Sequence, residues 1–195
     1  MAGRKVNSSP RLPTAPMSIF PLMIPQWCAI LKTTIFAQGM TLMTKILFIC
    51  HGNICRSPMA EYVMKDMVKK AGCSSDFEIS SAATSREEIG NPVYPPAKRK
   101  LSEHGISCDG HRAWQLTNSD YDSYDLLIGM DSENLRDMYR ICGGDYADKM
   151  HLLMDYTDHP RDVSDPWYTR DFDATWRDVE AGCRGLLDKI IDKEV

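Results

Sequence analysis

The sequence predicts a single-domain α/β fold with a four-stranded parallel sheet and helices on both of its faces. Short apolar segments of strand type alternate with segments of helical periodicity, and this alternation is typical of a doubly wound parallel sheet. The length of 195 residues corresponds to one domain. A hydrophobic fraction of 43% and a charged fraction of 26% are near globular averages, which excludes collagen-like and wholly disordered classes.

Four segments are expected to form the strands, and two of them are nearly continuous apolar runs. The runs KILFI (45–49) and YDLLIGM (124–130) are typical of strands that are buried on both faces, and the other two strands are 77–82 and 150–154. Apolar residues at helical spacing predict helices over 58–70, 97–104, 131–141 and 171–193. The remaining long segment, 155–170, is expected to be a loop rich in Asp, Pro and aromatic residues.

Residues 1–42 differ in composition from the rest, and we expect them to be an unstructured extension to a domain at 43–195. Five prolines interrupt this stretch, so it lacks the roughly 20 uninterrupted apolar residues that a membrane span needs. Met40 or Met43 could be the natural start of the protein. The alternative is a signal peptide with a weak cleavage site at Ala37-Gln38-Gly39.

Charge and cysteine content narrow the function classes. A net charge of -4 argues against a nucleic-acid-binding protein, because such proteins usually carry a basic excess. Seven cysteines at irregular spacing do not suggest a secreted disulfide framework, since the number is odd. We therefore expect a reduced, cytoplasmic protein with at least one working thiol.

The segment CHGNICRS (50–57) follows the first strand and carries the strongest chemical signal. In open parallel sheets, ligands bind beyond the carboxyl ends of the strands. Backbone N–H groups of such a loop can form an anion-binding nest, and the next helix points its positive end there. We expect Cys50 to be a nucleophilic thiolate and Arg56 to bind two phosphate oxygens at once. The predicted phosphate-binding loop comprises His51, Gly52, Asn53, Ile54, Cys55 and Arg56.

Other readings of this loop fit less well. The Walker pattern G-x-x-x-x-G-K-[ST] and the dinucleotide pattern G-x-G-x-x-G are both absent from the sequence. Cys50, His51 and Cys55 do not have the spacing of a structural zinc site, and no second ligand pair follows. The sequence therefore predicts no metal and no cofactor, and the Cys-x5-Arg spacing favours attack on phosphorus.

The stretch ILFICHGNICRSPMAE (46–61) resembles the low-molecular-weight protein tyrosine phosphatase family, and the loop 85–91, with Glu87 beside Glu88, looks more like its bacterial members. A second motif, DPWY (165–168) followed by Asp171-Phe172, is similar to the general-acid loop of that family. The resemblance extends from about Met43 to the C-terminus. It implies metal-independent hydrolysis of protein phosphotyrosine through a phosphocysteine intermediate.

The resemblance also implies roles for individual residues. Cys50 is the nucleophile, Arg56 stabilises the transferring phosphoryl group and Asp165 is the general acid. Ser57 donates its hydroxyl to the Cys50 sulfur, and Asn53 supports the strained shape of the loop. Three further aspartates share the acid loop, so the Asp-Pro-aromatic context, rather than spacing, selects Asp165; the three are Asp155, Asp158 and Asp162.

Further residues are expected around this centre. Trp167, Tyr168 and Glu87 are predicted to form the pocket wall, and the Glu87-Glu88 pair would favour substrates with basic flanks. His111 and Asp131 resemble a supporting network that reaches the loop through Asn53 and Ser57. Cys55 resembles a redox partner that captures an oxidised nucleophile. The remaining domain cysteines are expected in the core, namely Cys73, Cys108, Cys142 and Cys183.

The expected partners are phosphotyrosine-containing proteins, with a tyrosine kinase as one candidate, and the protein is expected to be a monomer or weak dimer. Neither nucleic acid nor a membrane span is expected. Phosphoarginine remains open as a substrate. An arsenate reductase is disfavoured because its two further cysteines should lie close together, and a phospho-binding module without turnover would leave Asp165 unexplained.

Overall fold

The computed structural model describes residues 43–193. The predicted extension at 1–42 and the alternative signal peptide therefore lie outside the described residues. Within the described part of the chain, no helix is long and apolar enough to cross a membrane.

The described residues form a parallel sheet of four strands in the order β2-β1-β3-β4. The strands are β1 Thr44–Cys50, β2 Phe77–Ala83, β3 Leu126–Gly129 and β4 Met150–Leu152. β1 is central and pairs in parallel with both β2 and β3, which places Cys50 opposite Ala83 at the carboxyl edge of the sheet. The predicted α/β class and sheet are confirmed.

Helices cover both faces of this sheet, as predicted. The helices are α1 Arg56–Ala71, α2 Pro95–Glu103, α3 Asp120–Ser123, α4 Ser132–Cys142, α5 Pro166–Thr169 and α6 Phe172–Lys193. The structure also contains two 3-10 turns, Ser74–Asp76 and Leu153–Tyr156. α1, α2 and α6 pack together on one face, whereas α4 packs against β3 and β4.

The central strand β1 divides its side chains between two cores because successive side chains in a strand point to opposite faces. Ile46 and Phe48 are buried with α1 and α6 in the larger core. Leu47 and Ile49 are buried in the smaller core on the opposite face, together with Tyr121 of α3. Each such side chain contributes about 1.5–3 kcal/mol when it is fully buried.

Several predicted boundaries are wrong by a few residues. α1 begins at Arg56 rather than Pro58, so its first turn includes two residues of the motif. The third strand is shorter than 124–130 because Tyr124 ends the unpredicted helix α3. The fourth strand ends at Leu152, where Asp155 accepts the backbone N–H of Leu152 at 3.0 Å and starts a 3-10 turn. The predicted loop 155–170 also contains α5.

Candidate active site

Cys50 is the last residue of β1 and is only 3% exposed. Ser57 Oγ is 3.0 Å from the sulfur, and the backbone N–H of Asn53 donates to the sulfur at 3.3 Å. The side-chain amide of Asn53 donates to Ser57 Oγ at 3.0 Å, so the single Ser57 hydroxyl proton can go to the Cys50 sulfur at 3.0 Å or to the Ala82 carbonyl oxygen at 3.4 Å. These contacts fix the sulfur between the Ser57 hydroxyl and the Asn53 N–H.

Asn53 is the fully buried centre of the loop. Its φ of 56° lies in the left-handed region, which Asn tolerates better than most residues. Its amide nitrogen also donates to Ser81 Oγ at 2.8 Å, and its Oδ1 accepts the backbone N–H of Trp114 at 3.3 Å. His111 Nε2 is 2.8 Å from the Asn53 carbonyl oxygen. Asn53 therefore connects the sulfur site to β2 and to the segment around His111.

Two residues without a predicted role complete this network. Ser81 Oγ donates to Glu61 Oε2 at 2.5 Å, and the same Glu61 oxygen is 3.9 Å from His111 Nδ1. Both Glu61 and Ser81 are buried, and Glu61 also pairs with Lys65. The sequence carried one indication of a role for Glu61, because it places a carboxylate within the apolar stretch of α1. A charged residue in such a position is rarely buried unless it is paired.

Arg56, which is 4% exposed, extends its guanidinium between two carboxylates. Nη1 contacts Asp131 Oδ2 at 2.5 Å, and Nη2 contacts Asp165 Oδ2 at 2.7 Å. Burial lowers the pKa of Arg56, but the neighbouring Cys50, Asp165 and Asp131 raise it more. A charged, planar donor is thus fixed beside the sulfur by two anions.

Asp131 reaches this centre by a different route from the one predicted. Its Oδ1 accepts the backbone N–H of Asn134 at 2.6 Å and caps α4, while its Oδ2 holds Arg56. The prediction that Asp131 acts through Asn53 and Ser57 is therefore wrong, because the two oxygens are committed to the helix cap and the guanidinium. His111 does contact Asn53, as expected.

Asp165 lies at the start of α5, at the edge of the cleft. Its Oδ1 accepts the backbone N–H of Trp167 at 2.8 Å, which leaves Oδ2 directed at Arg56. Asp155 instead accepts a backbone N–H in the 3-10 turn, and Asp162 accepts the backbone N–H of Ser132 at 3.0 Å. Asp165 is thus the aspartate of the loop whose carboxylate contacts the Arg56 guanidinium.

The centre opens into a cleft of about 840 Å³ whose rim is polar and aromatic. His51 Nε2 lies 3.2 Å from Glu87 Oε2 on one side, and both side chains are largely exposed. Trp167 and Tyr168 are exposed on the other side, where the Tyr94 ring lies 6.2 Å from the Trp167 ring. The predicted wall residues all line this cleft.

Cys55, the predicted redox partner, is buried next to the nucleophile's loop. Burial, reinforced by the negative charge of Cys50, raises the pKa of Cys55 to about 12. Cys55 therefore remains a protonated thiol at neutral pH. The cysteines that were expected in the core are indeed buried, namely Cys73, Cys108, Cys142 and Cys183.

Sequence comparisons agree with this geometry. A family model described as low molecular weight phosphotyrosine protein phosphatase matches residues 45–195. The low molecular weight protein-tyrosine-phosphatase YfkJ of Bacillus subtilis is 37% identical over 150 residues, which cover 76% of this chain and 96% of YfkJ. The human low molecular weight phosphotyrosine protein phosphatase is 36% identical over 153 residues, covering 74% of this chain and 94% of the human protein.

Solved structures give the same result. The crystal structure of YfkJ matches with a TM-score of 0.77 and 35% identity, covering 81% of this chain and 99% of YfkJ. The crystal structure of DARP, described as a Drosophila arginine phosphatase, matches with a TM-score of 0.69 and 25% identity, covering 75% of this chain and 98% of DARP. The chain therefore belongs to the low molecular weight phosphotyrosine protein phosphatase family of cysteine-based hydrolases.

Proposed function

We propose that this enzyme hydrolyses phosphotyrosine in proteins through a phosphocysteine intermediate and without a metal ion. The observation that carries the proposal is the convergence of a nucleophile, an anion clamp and a proton donor. The sulfur of Cys50 accepts the backbone N–H of Asn53, while Arg56 and Asp165 meet beside it at 2.7 Å. These are the groups that phosphoryl transfer through a covalent intermediate requires.

In the first step, the Cys50 thiolate attacks phosphorus and the bond between phosphorus and the tyrosyl oxygen breaks. Arg56 binds two phosphoryl oxygens as their charge develops, together with backbone N–H groups of the loop. The substrate phosphate replaces Asp165 at Arg56 Nη2, and Asp165, in its protonated form, transfers its proton to the leaving tyrosyl oxygen, so that neutral tyrosine departs. A phosphate group is then bound to the Cys50 sulfur.

In the second step, the Asp165 carboxylate accepts a proton from a water molecule as that water attacks phosphorus. The sulfur–phosphorus bond breaks and inorganic phosphate forms. Cys50 leaves as a thiolate, which the Ser57 hydroxyl and the Asn53 N–H stabilise at 3.0 and 3.3 Å. The same carboxyl group thus acts first as acid and then as base. Arg56 and the loop N–H groups supply the positive charge throughout, so the scheme needs no metal.

The test measures hydrolysis of p-nitrophenyl phosphate and a phosphotyrosine peptide in the presence of EDTA. Activity should persist with EDTA, and Cys50→Ser should abolish it. Asp165→Ala should lower kcat/KM for the peptide by about 10²–10⁴-fold, the usual contribution of a general acid. Cys108→Ser, a change in the core away from the cleft, serves as the control. Full activity of Cys50→Ser would contradict the proposal, as would loss of activity on chelation.

The intermediate can be observed directly. Asp165→Asn should slow hydrolysis of the phosphocysteine, so acid quenching during turnover should leave a phosphate on the peptide that contains Cys50, detectable by mass spectrometry. Phosphorylation of another residue would contradict the scheme.

Phosphoarginine is the second candidate substrate, because a structure described as an arginine phosphatase matches this chain over 75% of its length. Cys50 would attack the phosphorus of phosphoarginine while Arg56 binds the phosphoryl oxygens. As the phosphorus–nitrogen bond breaks, Asp165 would protonate the leaving nitrogen. Matched peptides that carry phosphotyrosine or phosphoarginine at one position distinguish the two. A larger kcat/KM for the phosphotyrosine peptide supports the first candidate, and the reverse supports the second.

We propose phosphotyrosine proteins as the physiological partners, a tyrosine kinase among them, and the cytoplasm as the location. The support for the location is chemical, since a catalytic thiolate needs a reducing environment to stay active. Sedimentation at several concentrations would test the predicted monomer or weak dimer.

A further inference from the structure

The loop that carries Asp165 is bonded to helix α6 through a buried carboxylate that the mechanism does not use. Asp178 lies in the second turn of α6 and is 5% exposed. Its Oδ2 accepts the backbone N–H of Ser164 at 2.9 Å and also accepts from Arg161 Nη1 at 2.8 Å. Arg161 Nη2 contacts the other oxygen, so the Arg161–Asp178 pair is bidentate.

Ser164 immediately precedes Asp165, and α6 holds both of its backbone polar groups. The N–H of Ser164 donates to Asp178, and the carbonyl oxygen of Ser164 accepts from Thr175 Oγ1 at 2.8 Å. Thr175 is fully buried and lies three residues before Asp178, on the same face of α6. Two buried side chains therefore fix the orientation of the residue next to the general acid.

The two residues before Ser164, Asp162 and Val163, are also held by hydrogen bonds, but to the segment that joins β3 to α4. Val163 N–H donates to the Met130 carbonyl oxygen at 2.8 Å, and Asp162 accepts the N–H of Ser132 at 3.0 Å. The contacts of Asp162 and Val163 link the loop to the end of β3 and the start of α4. Ser164 is the residue immediately before Asp165, so its contacts with α6 act on the backbone nearest to the general acid.

Building on the proposed function, we propose that Asp178 is a positioning residue for the general acid. Its buried carboxylate fixes Ser164, and Ser164 sets the direction from which Asp165 reaches the leaving-group oxygen. Asp178 does not contact the reacting atoms. Its removal should therefore impair proton transfer to the leaving group and should leave the attack by Cys50 intact.

Leaving-group dependence isolates this role. Protonation by Asp165 matters for a poor leaving group such as tyrosine and hardly matters for dinitrophenol, which leaves as an anion. A misplacement of about 1 Å can cost a factor of about 10², so Asp178→Asn should lower kcat/KM by roughly 10- to 100-fold for phosphotyrosine. For dinitrophenyl phosphate the expected loss is about twofold or less on the same argument. The slope of log kcat/KM against leaving-group acidity should steepen.

The controls separate positioning from general damage. Asp188→Asn makes the same chemical change at an exposed position of α6 and should leave both rates unchanged. In an Asp165→Ala background, Asp178→Asn should cause no further loss on phosphotyrosine, because there is no proton donor left to misplace. Thr175→Val removes the other bond to Ser164 and should shift the leaving-group slope in the same direction, which provides a second test if Asp178→Asn fails to fold.

Equal losses for phosphotyrosine and dinitrophenyl phosphate would overturn the assignment, and so would additive losses in the double variant. If Asp165→Ala itself showed no leaving-group dependence, the proposed function would fail first. If Asp165→Ala showed it while Asp178→Asn and Thr175→Val did not, only the positioning role would fail.

Discussion

The two loops that meet beside the sulfur of Cys50 are held in place in different ways. Most of the segment 50–57, which contains the phosphate-binding loop, is buried, and Asn53 and Ser57 are fully inaccessible to solvent, although His51 is exposed. The acid loop, 155–170, is mostly exposed at its tip, where Tyr168 is 82% exposed. The first loop bonds mainly to itself, to the neighbouring strand and to the segment around His111, and Asp131 at the start of α4 holds its Arg56. The second loop bonds to α4 and α6.

This difference separates two kinds of control over one reaction. A buried polar network is costly to disturb because each lost partner leaves an unsatisfied group in a low dielectric. Changes in the phosphate-binding loop should therefore affect both attack and folding. The acid loop is positioned by distant side chains, so substitutions on α6 should tune proton transfer without disturbing the sulfur. The following predictions test that separation.

Among the substitutions that test how the two loops are held, the largest effect is expected for Asn53→Ala. The substitution removes the amide that donates to Ser57 and Ser81, and it places Ala at a φ of 56°. Both effects destabilise the loop, by about 2–4 kcal/mol together. We expect kcat for p-nitrophenyl phosphate to fall by about 100-fold, since the loop donors lose their alignment with the transition state. Steady-state kinetics and urea unfolding measure the two quantities.

The exposed Asn118→Ala is the matched control and should change neither quantity. An Asn53→Ala protein of normal stability and normal kcat would show that the network does not hold the loop.

Local sequence was informative only where the contacts are local. The motif 50–57 contains its own nucleophile, clamp and hydroxyl donor, so the residue types at that spacing already indicate the site. Ser81 and Glu61 could not be predicted in the same way, because Ser81 is 28 positions from Asn53 and 20 from Glu61. Only the strand register and the start of α1 bring these three residues together.

The acid loop shows the same limit. The Asp-Pro-aromatic context identified Asp165, because Asp165 caps α5 within the motif itself. Asp178 lies 14 residues beyond Ser164 on an amphipathic helix, where a lone acidic residue has no distinctive pattern. The role predicted for Asp131 was wrong since its two oxygens serve a helix cap and Arg56. The cap is a local contact with Asn134, but the contact with Arg56 spans 75 positions and has no local signal.

Gly185→Ala should disturb the packing of α6 on the 3-10 turn Leu153–Tyr156, which leads into the acid loop. A Cβ at Gly185 would lie 1.9 Å from the backbone oxygen of Tyr156, so α6 or the turn must move. Overpacking of this kind costs about 1–3 kcal/mol and outweighs the roughly 0.5–1 kcal/mol that Ala usually gains over Gly in a helix. Differential scanning calorimetry should show a Tm lower by about 2–8 °C.

Gly182→Ala is the matched control on the same helix. Its Cβ would lie 2.5 Å from Leu153 Cγ and 3.0 Å from the Leu153 backbone oxygen, a milder overlap than the 1.9 Å approach to backbone at Gly185. Its Tm should therefore fall less than that of Gly185→Ala. An unchanged or raised Tm for Gly185→Ala would contradict the close approach of α6 to this turn.

A redox experiment tests whether the buried thiol protects the phosphate-binding loop. Peroxide should oxidise the Cys50 thiolate to a sulfenic acid, and the Cys55 thiol should then attack it, forming a disulfide and releasing water. Dithiothreitol should restore activity in the native protein. In Cys55→Ser, the recovered fraction should fall by about tenfold, since sulfinic acid forms instead and is not reduced. Cys108→Ser should recover like the native protein.

The pH dependence of this protection follows from the pKa of Cys55, which burial, the larger cause, keeps raised after oxidation removes the charge of Cys50. Below that value the attacking thiolate fraction rises about tenfold per pH unit, so disulfide formation should accelerate from pH 7 to 9. A rate that stays flat over this range would mean that Cys55 is not the attacking thiol.

The smallest effect is expected at the rim, where the charge of Glu87 should act on the residues that flank the phosphotyrosine. Glu87 is largely exposed and meets His51 at 3.2 Å, so solvent and salt screen its field. Glu87→Lys should lower kcat/KM for a peptide with Lys flanks and raise it for one with Asp flanks, each by about three- to fivefold at low salt. The effect should shrink above about 0.5 M salt, where the screening length falls toward about 3 Å.

Glu78→Lys makes the same charge change at the start of β2, at the opposite edge of the sheet, and should leave the ratio of kcat/KM for the two peptides unchanged. A shift of equal size in both variants would indicate that net charge, rather than the rim, selects the flanks.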